Sequence, residues 1–153
     1  MNVTAAPHDD WTAREELAER MIPLIGALKR ERDVVTSLHG HRLLGLSATG
    51  IVEVHDRVAQ LGHERLAVDE TLAVLEGVHE LAPGASSLDL ARLAAGHAES
   101  DLPLDAYLTE ALAPAVGAVA ASPTDVVLYG FGRIGRLLAR ILIAHNGGGS
   151  GLR

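Results

Sequence analysis

The chain has 153 residues, a net charge of −7 and no cysteine, with 48% hydrophobic and 3% aromatic side chains. That length suits a single hydrophobic core, the apolar fraction excludes a disordered chain, and the missing cysteines exclude disulfides, thiolate metal sites and a thiol nucleophile within these residues. The longest uncharged apolar stretch, Leu112–Thr124, is too short to span a bilayer and holds two prolines, while acidic residues occupy the place of a signal peptide, so the expected compartment is the cytoplasm.

Ala and Leu each occur 24 times, which favours helix throughout. The first nine or ten residues read as frayed. Thr12 and Glu15 form a capping-box pattern, with Asp10 as a competing cap, ahead of Leu17, Met21, Leu24, Ile25 and Leu28 at helical spacing. This helix runs to about Arg32, and Pro23 inside it should kink it or remove one hydrogen bond. A short extended stretch follows over Val34–Leu38 and ends at Gly40. A second helix is predicted over Thr49–Leu61, with Ile51, Val54, His55 and Val58 on one face. A third covers Asp69–Leu81 and stops at Pro83-Gly84. Ser86 and Ser87 are candidate caps for a fourth helix, Leu88–Ala98. Asp101 and Pro103 open a fifth, Leu104–Leu112, which buries Leu104, Tyr107, Leu108 and Leu112. Five helices with short connections read as a helical bundle.

This first part carries little chemistry. His39-Gly40-His41 is its one ligand-like pair, and two histidines with no cysteine or carboxylate at a fixed offset make a weak metal signal. Glu15, Glu16, Glu19, Glu76 and Glu80 read as a solvated face with i,i+4 spacings.

The charge is uneven. Residues 1–122 carry 9 Lys/Arg against 19 Asp/Glu, net −10, and residues 123–153 carry 4 Arg against 1 Asp, net +3. An acidic surface argues against nucleic acid as a partner, since phosphate neutralisation needs Lys and Arg. The asymmetry suggests two parts: an acidic α-helical extension over 1–122, and a different unit over 123–153.

Ser122-Pro123-Thr124 reads as a linker into Asp125-Val126-Val127-Leu128-Tyr129, which has the character of a buried strand. It leads directly into Gly130-Phe131-Gly132-Arg133-Ile134-Gly135. Ile134, Leu137, Leu138, Ile141 and Leu142 then repeat as an amphipathic helix that Asn146-Gly147-Gly148-Gly149 ends. A GxGxxG between a strand and a helix is the dinucleotide-binding context. Gly130 would permit the tight turn, Gly132 would let backbone approach a pyrophosphate, and Gly135 would let the helix pack against the strand. The helix N-terminus and Arg133 would add positive potential, with Arg136 and Arg140 on the solvated face. The competing reading is a glycine turn that only shapes a strand–helix junction.

Gly130-Phe131-Gly132-Arg133-Ile134-Gly135-Arg136 resembles the N-terminal cofactor motif of glyceraldehyde-3-phosphate dehydrogenases, in which Asn precedes Gly-Phe-Gly-Arg-Ile-Gly-Arg. Tyr129 departs from that Asn. Trp11-Thr12-Ala13-Arg14-Glu15-Glu16 and Asp125–Tyr129 resemble an N-terminally extended bacterial form. The resemblance implies an NAD or NADP site at Gly130, Phe131, Gly132, Arg133, Ile134 and Gly135, at the first β-α unit of a Rossmann domain. It also implies a small aldehyde phosphate and phosphate as substrates, and a homotetramer. The family's cysteine nucleophile and histidine base have no counterpart here, so these residues read as an inactive N-terminal fragment. The ribose-binding acid, about 20 residues past the glycines, would fall beyond Arg153, which leaves NAD and NADP undecided. Two other readings stay open: a small helical interaction or regulatory module with an incidental glycine turn, and another Rossmann oxidoreductase such as an erythrose-4-phosphate dehydrogenase.

Overall fold

The computed structural model describes residues 7–63, 65–119 and 126–146, without the side chains of 7–9 and 144–146. The chain divides into two compact units, residues 1–118 and 119–153.

In the first unit, α1 (Pro7–Arg32) is one continuous helix that starts earlier than its capping signals predict. Proline lacks the N–H that a first turn leaves unpaired anyway, so Pro7 begins the helix at no cost, and Asp10 and Thr12 lie inside it. Glu15 is then free of any capping role and accepts from the Thr49 hydroxyl at 2.6 Å, so it is not a solvated surface residue. Nor is Glu76 unpaired, since Arg20 reaches it at 2.8 Å on the exposed side of the unit. Ala18, Met21, Ile25 and Leu28 form the buried seam of α1, with Leu17 and Leu24 packed beside it.

β1 (Val34–Leu38) confirms the extended stretch, and a tight turn pairs it antiparallel with β2 (His41–Arg42). Both central turn residues, His39 and Gly40, have positive φ (46° and 80°). That is the requirement of the hairpin turn whose twist matches paired strands. α2 (Ala48–Gln60) and α3 (Val68–Leu81) follow. Ser47 caps α2 by accepting from the Gly50 amide at 3.1 Å. Ala67 has no side-chain acceptor, so Glu70 of α3 reaches back to the Ala67 N–H at 3.0 Å. Ala82 in the left-handed region, then Pro83, stops α3 as predicted.

The fourth predicted helix begins too early. Ser86–Asp89 is instead a strand, β3, parallel to β1 in the register Val34↔Ser86 to Ser37↔Asp89, and α4 runs only over Leu90–Ala98. Asp89, rather than a serine, caps α4: its carboxylate accepts from the amides of Ala91 (3.1 Å) and Arg92 (3.4 Å). The same carboxylate accepts from the amides of His39 (3.1 Å) and Gly40 (2.7 Å) and from the Ser37 hydroxyl (3.3 Å). Two polar serines give a helix cap in isolation. With β1 beside them and Asp89 fixing the corner, pairing wins. The unit is therefore a three-stranded mixed sheet, order β2-β1-β3, packed with helices, and not a pure helical bundle. α5 (Leu104–Ala111) closes it, burying Leu108 and, just past its end, Leu112. A 3₁₀ turn, η1 (Ala113–Ala115), follows.

Buried His55 links α2 to α3. Its Nδ1–H donates to the Ile51 carbonyl (2.9 Å), and its Nε2 lies 2.9 Å from the Thr71 hydroxyl, which also reaches the Ala67 carbonyl (3.1 Å). Burial lowers its pKa below the ordinary value, against the opposing pull of the Ile51 bond; nearby Arg14 lowers it further and Asp56 raises it. Arg14 and Asp56 themselves pair at 2.6 Å.

The second unit contains α6 (Arg133–Asn146). Among the described residues the expected strand does not form: Asp125 lies outside them, and 126–128 have no regular secondary structure. Val127 is 87% exposed, and Tyr129 is fully so. A strand apolar on both faces holds only with neighbours in a sheet, and no described segment of this unit supplies one. For the same reason Ile134, Leu137, Leu138 and Ile141, which the helical pattern directs inward, are exposed. The predicted linker at 122–124 and the glycines after Asn146 lie outside the described residues.

Two outcomes follow for the first unit. Asp89→Ala should cost about 2–3 kcal/mol, one helix cap plus stranded turn amides, and Asp89→Asn about half of that, read by urea denaturation. For His55, folded and unfolded chains both hold the neutral ring above about pH 6.5, the ordinary imidazole value. As pH falls below that value the unfolded chain binds the proton first, so stability drops until the lower folded pKa is passed. The stability gap between wild type and His55→Leu should therefore shrink from pH 7.5 to pH 5, and a pH-independent gap would contradict it.

Candidate functional site

The Gly130–Gly135 turn is the strongest site candidate, and its three glycines have different reasons to be there. Gly130 has φ +96°, which a side chain would strain. Gly135 sits in the first turn of α6, where a Cβ would run into the Gly130 carbonyl oxygen. These two glycines fold the loop back onto its own helix. Gly132 is neither strained nor crowded, for its φ is not positive and a Cβ there would meet nothing within 4 Å. The chain alone gives no reason for a glycine at 132.

Gly132 caps α6, since its carbonyl accepts the Arg136 amide at 3.0 Å. The amides of Arg133, Ile134 and Gly135 precede that first helical bond and have no partner along the helix. The side chain of Arg133 is exposed at this end. Together these groups face an open cleft of about 620 Å³, lined by Leu128, Gly130, Gly132, Arg133, Gly135 and Leu138 among others. Phe131 and Ile134 are also exposed, at 66% and 72%. The structure thus brings all six predicted residues into one turn at a helix N-terminus, a geometry that favours an anion. Among the described residues of this unit, no strand flanks the turn.

The weak metal signal resolves into other roles. His39 sits in the hairpin turn with its ring stacked on His63 (4.3 Å between centroids, 20° between planes), while His41 lies on β2. Among the described residues, no three His, Asp or Glu side chains converge to hold a metal. No described helix is long and apolar enough to cross a membrane.

Over 143 residues, 87% of the chain, the sequence is 45% identical to a protein of Pseudomonas aeruginosa (strain UCBPP-PA14) named glyceraldehyde-3-phosphate dehydrogenase-like protein. The chain spans 30% of that protein's length, and the two are homologous over this part. A match of that extent cannot be confined to the glycine turn and α6, so the relationship takes in most of the acidic unit as well. No protein-family model matches the chain.

The three glycines predict three behaviours in amide NMR spectra of the chain. Gly130→Ala and Gly135→Ala should disperse or broaden the signals of residues 129–137. Gly132→Ala should leave them in place, with shifts confined to its immediate neighbours.

Proposed function

We propose that these residues are the N-terminal part of a glyceraldehyde-3-phosphate dehydrogenase-like oxidoreductase, and that the Gly130–Gly135 turn holds the pyrophosphate of NAD or NADP. The observation that carries the reading is Gly132, whose open backbone lies beside unpaired helix amides and an exposed arginine. A phosphate group fills the space that a Cβ would take, and the amides of Arg133, Ile134 and Gly135 donate to its oxygens. Arg133 adds a full charge, and Arg136 and Arg140, further along α6, extend the positive potential. The homologue's name supports the same family of chemistry.

When bound, such a cofactor would supply the hydride acceptor for oxidation of an aldehyde phosphate already held as a tetrahedral adduct by a nucleophile, the acyl group then passing to phosphate. This chain's share of that work is to bind and orient the cofactor. It has no cysteine for covalent attack on the aldehyde, so in this reading the nucleophile belongs to another segment, as do the adenine and nicotinamide pockets. The acidic unit is an N-terminal extension of the cofactor domain, in a soluble, cytoplasmic homotetramer. Exposed apolar residues along α6 await the parallel strands of that domain.

Magnitudes set what the chain can do by itself. A helix N-terminus contributes roughly 0.3–2 kcal/mol to holding an anion. Micromolar affinity needs about 8 kcal/mol. The 153-residue chain should therefore show no dehydrogenase activity and at best millimolar affinity for NAD by calorimetry. In the protein read through the frame downstream of Arg153, Gly132→Ala should raise KM for the cofactor about tenfold with the fold unchanged. Micromolar NAD binding by the short chain, or an unaltered KM in the long one, would overturn the proposal.

A further inference from the structure

The polar groups buried between α2 and α3 do more than hold the two helices together. His55 is 3% exposed and Thr71 0%, so the contact between them is shielded from solvent. The Ile51 carbonyl can only accept, so the ring nitrogen 2.9 Å from it, Nδ1, carries a hydrogen in the neutral ring and in the cation alike. The charge of the ring is therefore decided at Nε2.

Nε2 faces a hydroxyl that has one hydrogen and two acceptors within reach. Thr71 Oγ1 lies 2.9 Å from Nε2 and 3.1 Å from the Ala67 carbonyl oxygen. With the ring neutral, Nε2 holds a lone pair and the Thr71 hydroxyl donates to it. The Ala67 oxygen still has the Thr71 amide as a donor, at 3.1 Å. With the ring charged, Nε2–H donates to Oγ1, and the hydroxyl hydrogen turns to the Ala67 oxygen, which accepts it on a second lone pair. Each state leaves every one of these atoms with a partner, and neither requires a heavy atom to move.

Two charged side chains act on the ring. Arg14 of α1 works against its cation and Asp56 of α2 favours it, and the two are paired with each other at 2.6 Å. Of the acids that open α3, Glu70 is engaged by the Ala67 amide, and Asp69 is exposed. Burial remains as the main force against the charged ring, and the relay of hydrogen bonds opposes it.

We propose that His55 and Thr71 form a proton-sensing relay: His55 takes up a proton inside the folded unit, and inversion of the Thr71 hydroxyl carries the change to the first turn of α3. The signal emerges at Ala67, whose carbonyl gains a second donor when the ring is charged and whose amide donates to Glu70. The relay lies wholly within residues 1–118 and is independent of the cofactor reading.

Nitrogen and carbon NMR of the full 153-residue chain, from pH 7.5 down to the onset of acid unfolding, tests this. The His55 ring should titrate while the folded spectrum persists, with Nδ1 protonated throughout. The Ala67 carbonyl carbon should shift with the same midpoint. Thr71→Val keeps the side-chain shape and removes the hydroxyl, which strands Nε2 in both states. The loss is greater for the cation, whose bond is charge-assisted, so the His55 midpoint should fall by about one pH unit. Thr71→Ser keeps the hydroxyl and should keep the midpoint. Unfolding before the ring titrates, an Ala67 carbonyl indifferent to the titration, or an unchanged midpoint in Thr71→Val would each refute the relay. A fall in Thr71→Ser equal to that in Thr71→Val would refute it too, since packing of the methyl group would then be the cause. If Thr71→Val does not fold, the Ala67 carbonyl response in the unaltered chain still decides.

Discussion

The first unit depends on one carboxylate. Asp89 ends β3, begins α4, and accepts from two amides of the β1–β2 turn and from the Ser37 hydroxyl in the middle of the sheet. Five donors converge on two oxygens, so three structural elements share a single corner. The strength lies in the charge: hydrogen bonds to an ionised acceptor are about twice as strong as neutral ones. It also fixes a choice that local sequence leaves open. Ser86 and Ser87 are good caps and poor strand residues, yet with Asp89 held by the turn, helix can start only after it. The parallel register of β3 on β1 and the placement of α4 both follow from that corner.

Much of the helical layout was legible because it depends on periodicity, which is a local property. α2 and α3 lie within a residue of their predicted bounds, since Ile51, Val54 and Val58, then Leu72, Leu75 and Val78, repeat where a single buried face needs them. What was not legible depends on partners distant in sequence. β3 is a strand because β1 lies beside it, more than 40 residues earlier. Glu15 left its predicted capping box for Thr49 on another helix. A signal for Asp89 does exist in the sequence, an acid directly before the apolar run Leu90-Ala91, but the two serines ahead of it gave a competing cap.

The second unit shows the reverse case. Its pattern predicts an amphipathic helix after a glycine turn, the helix forms, and its apolar face is left in solvent. A hydrophobic stripe says that a helix must be covered, and says nothing about what covers it. The same limit applies to Val126–Leu128, whose strand character is a demand for neighbours and cannot be met by one segment.

The three glycines separate internal from external constraint. Two of them are explained by the chain's own geometry, one by its backbone angle and one by the carbonyl packed against it. A loop shaped only to join an extended segment to a helix would need no more than those. Gly132 is the residue left over, and its freedom faces solvent at the end of a helix with unpaired amides. A methyl group there would cost the fold nothing, so stability does not account for its absence. In the proposed reading that space is left for the cofactor's pyrophosphate, at a helix N-terminus whose field favours an anion. Of the four arginines that make residues 123–153 positive, Arg133 stands at this turn and Arg136 and Arg140 follow it along α6, so their charge adds to the field of the helix end.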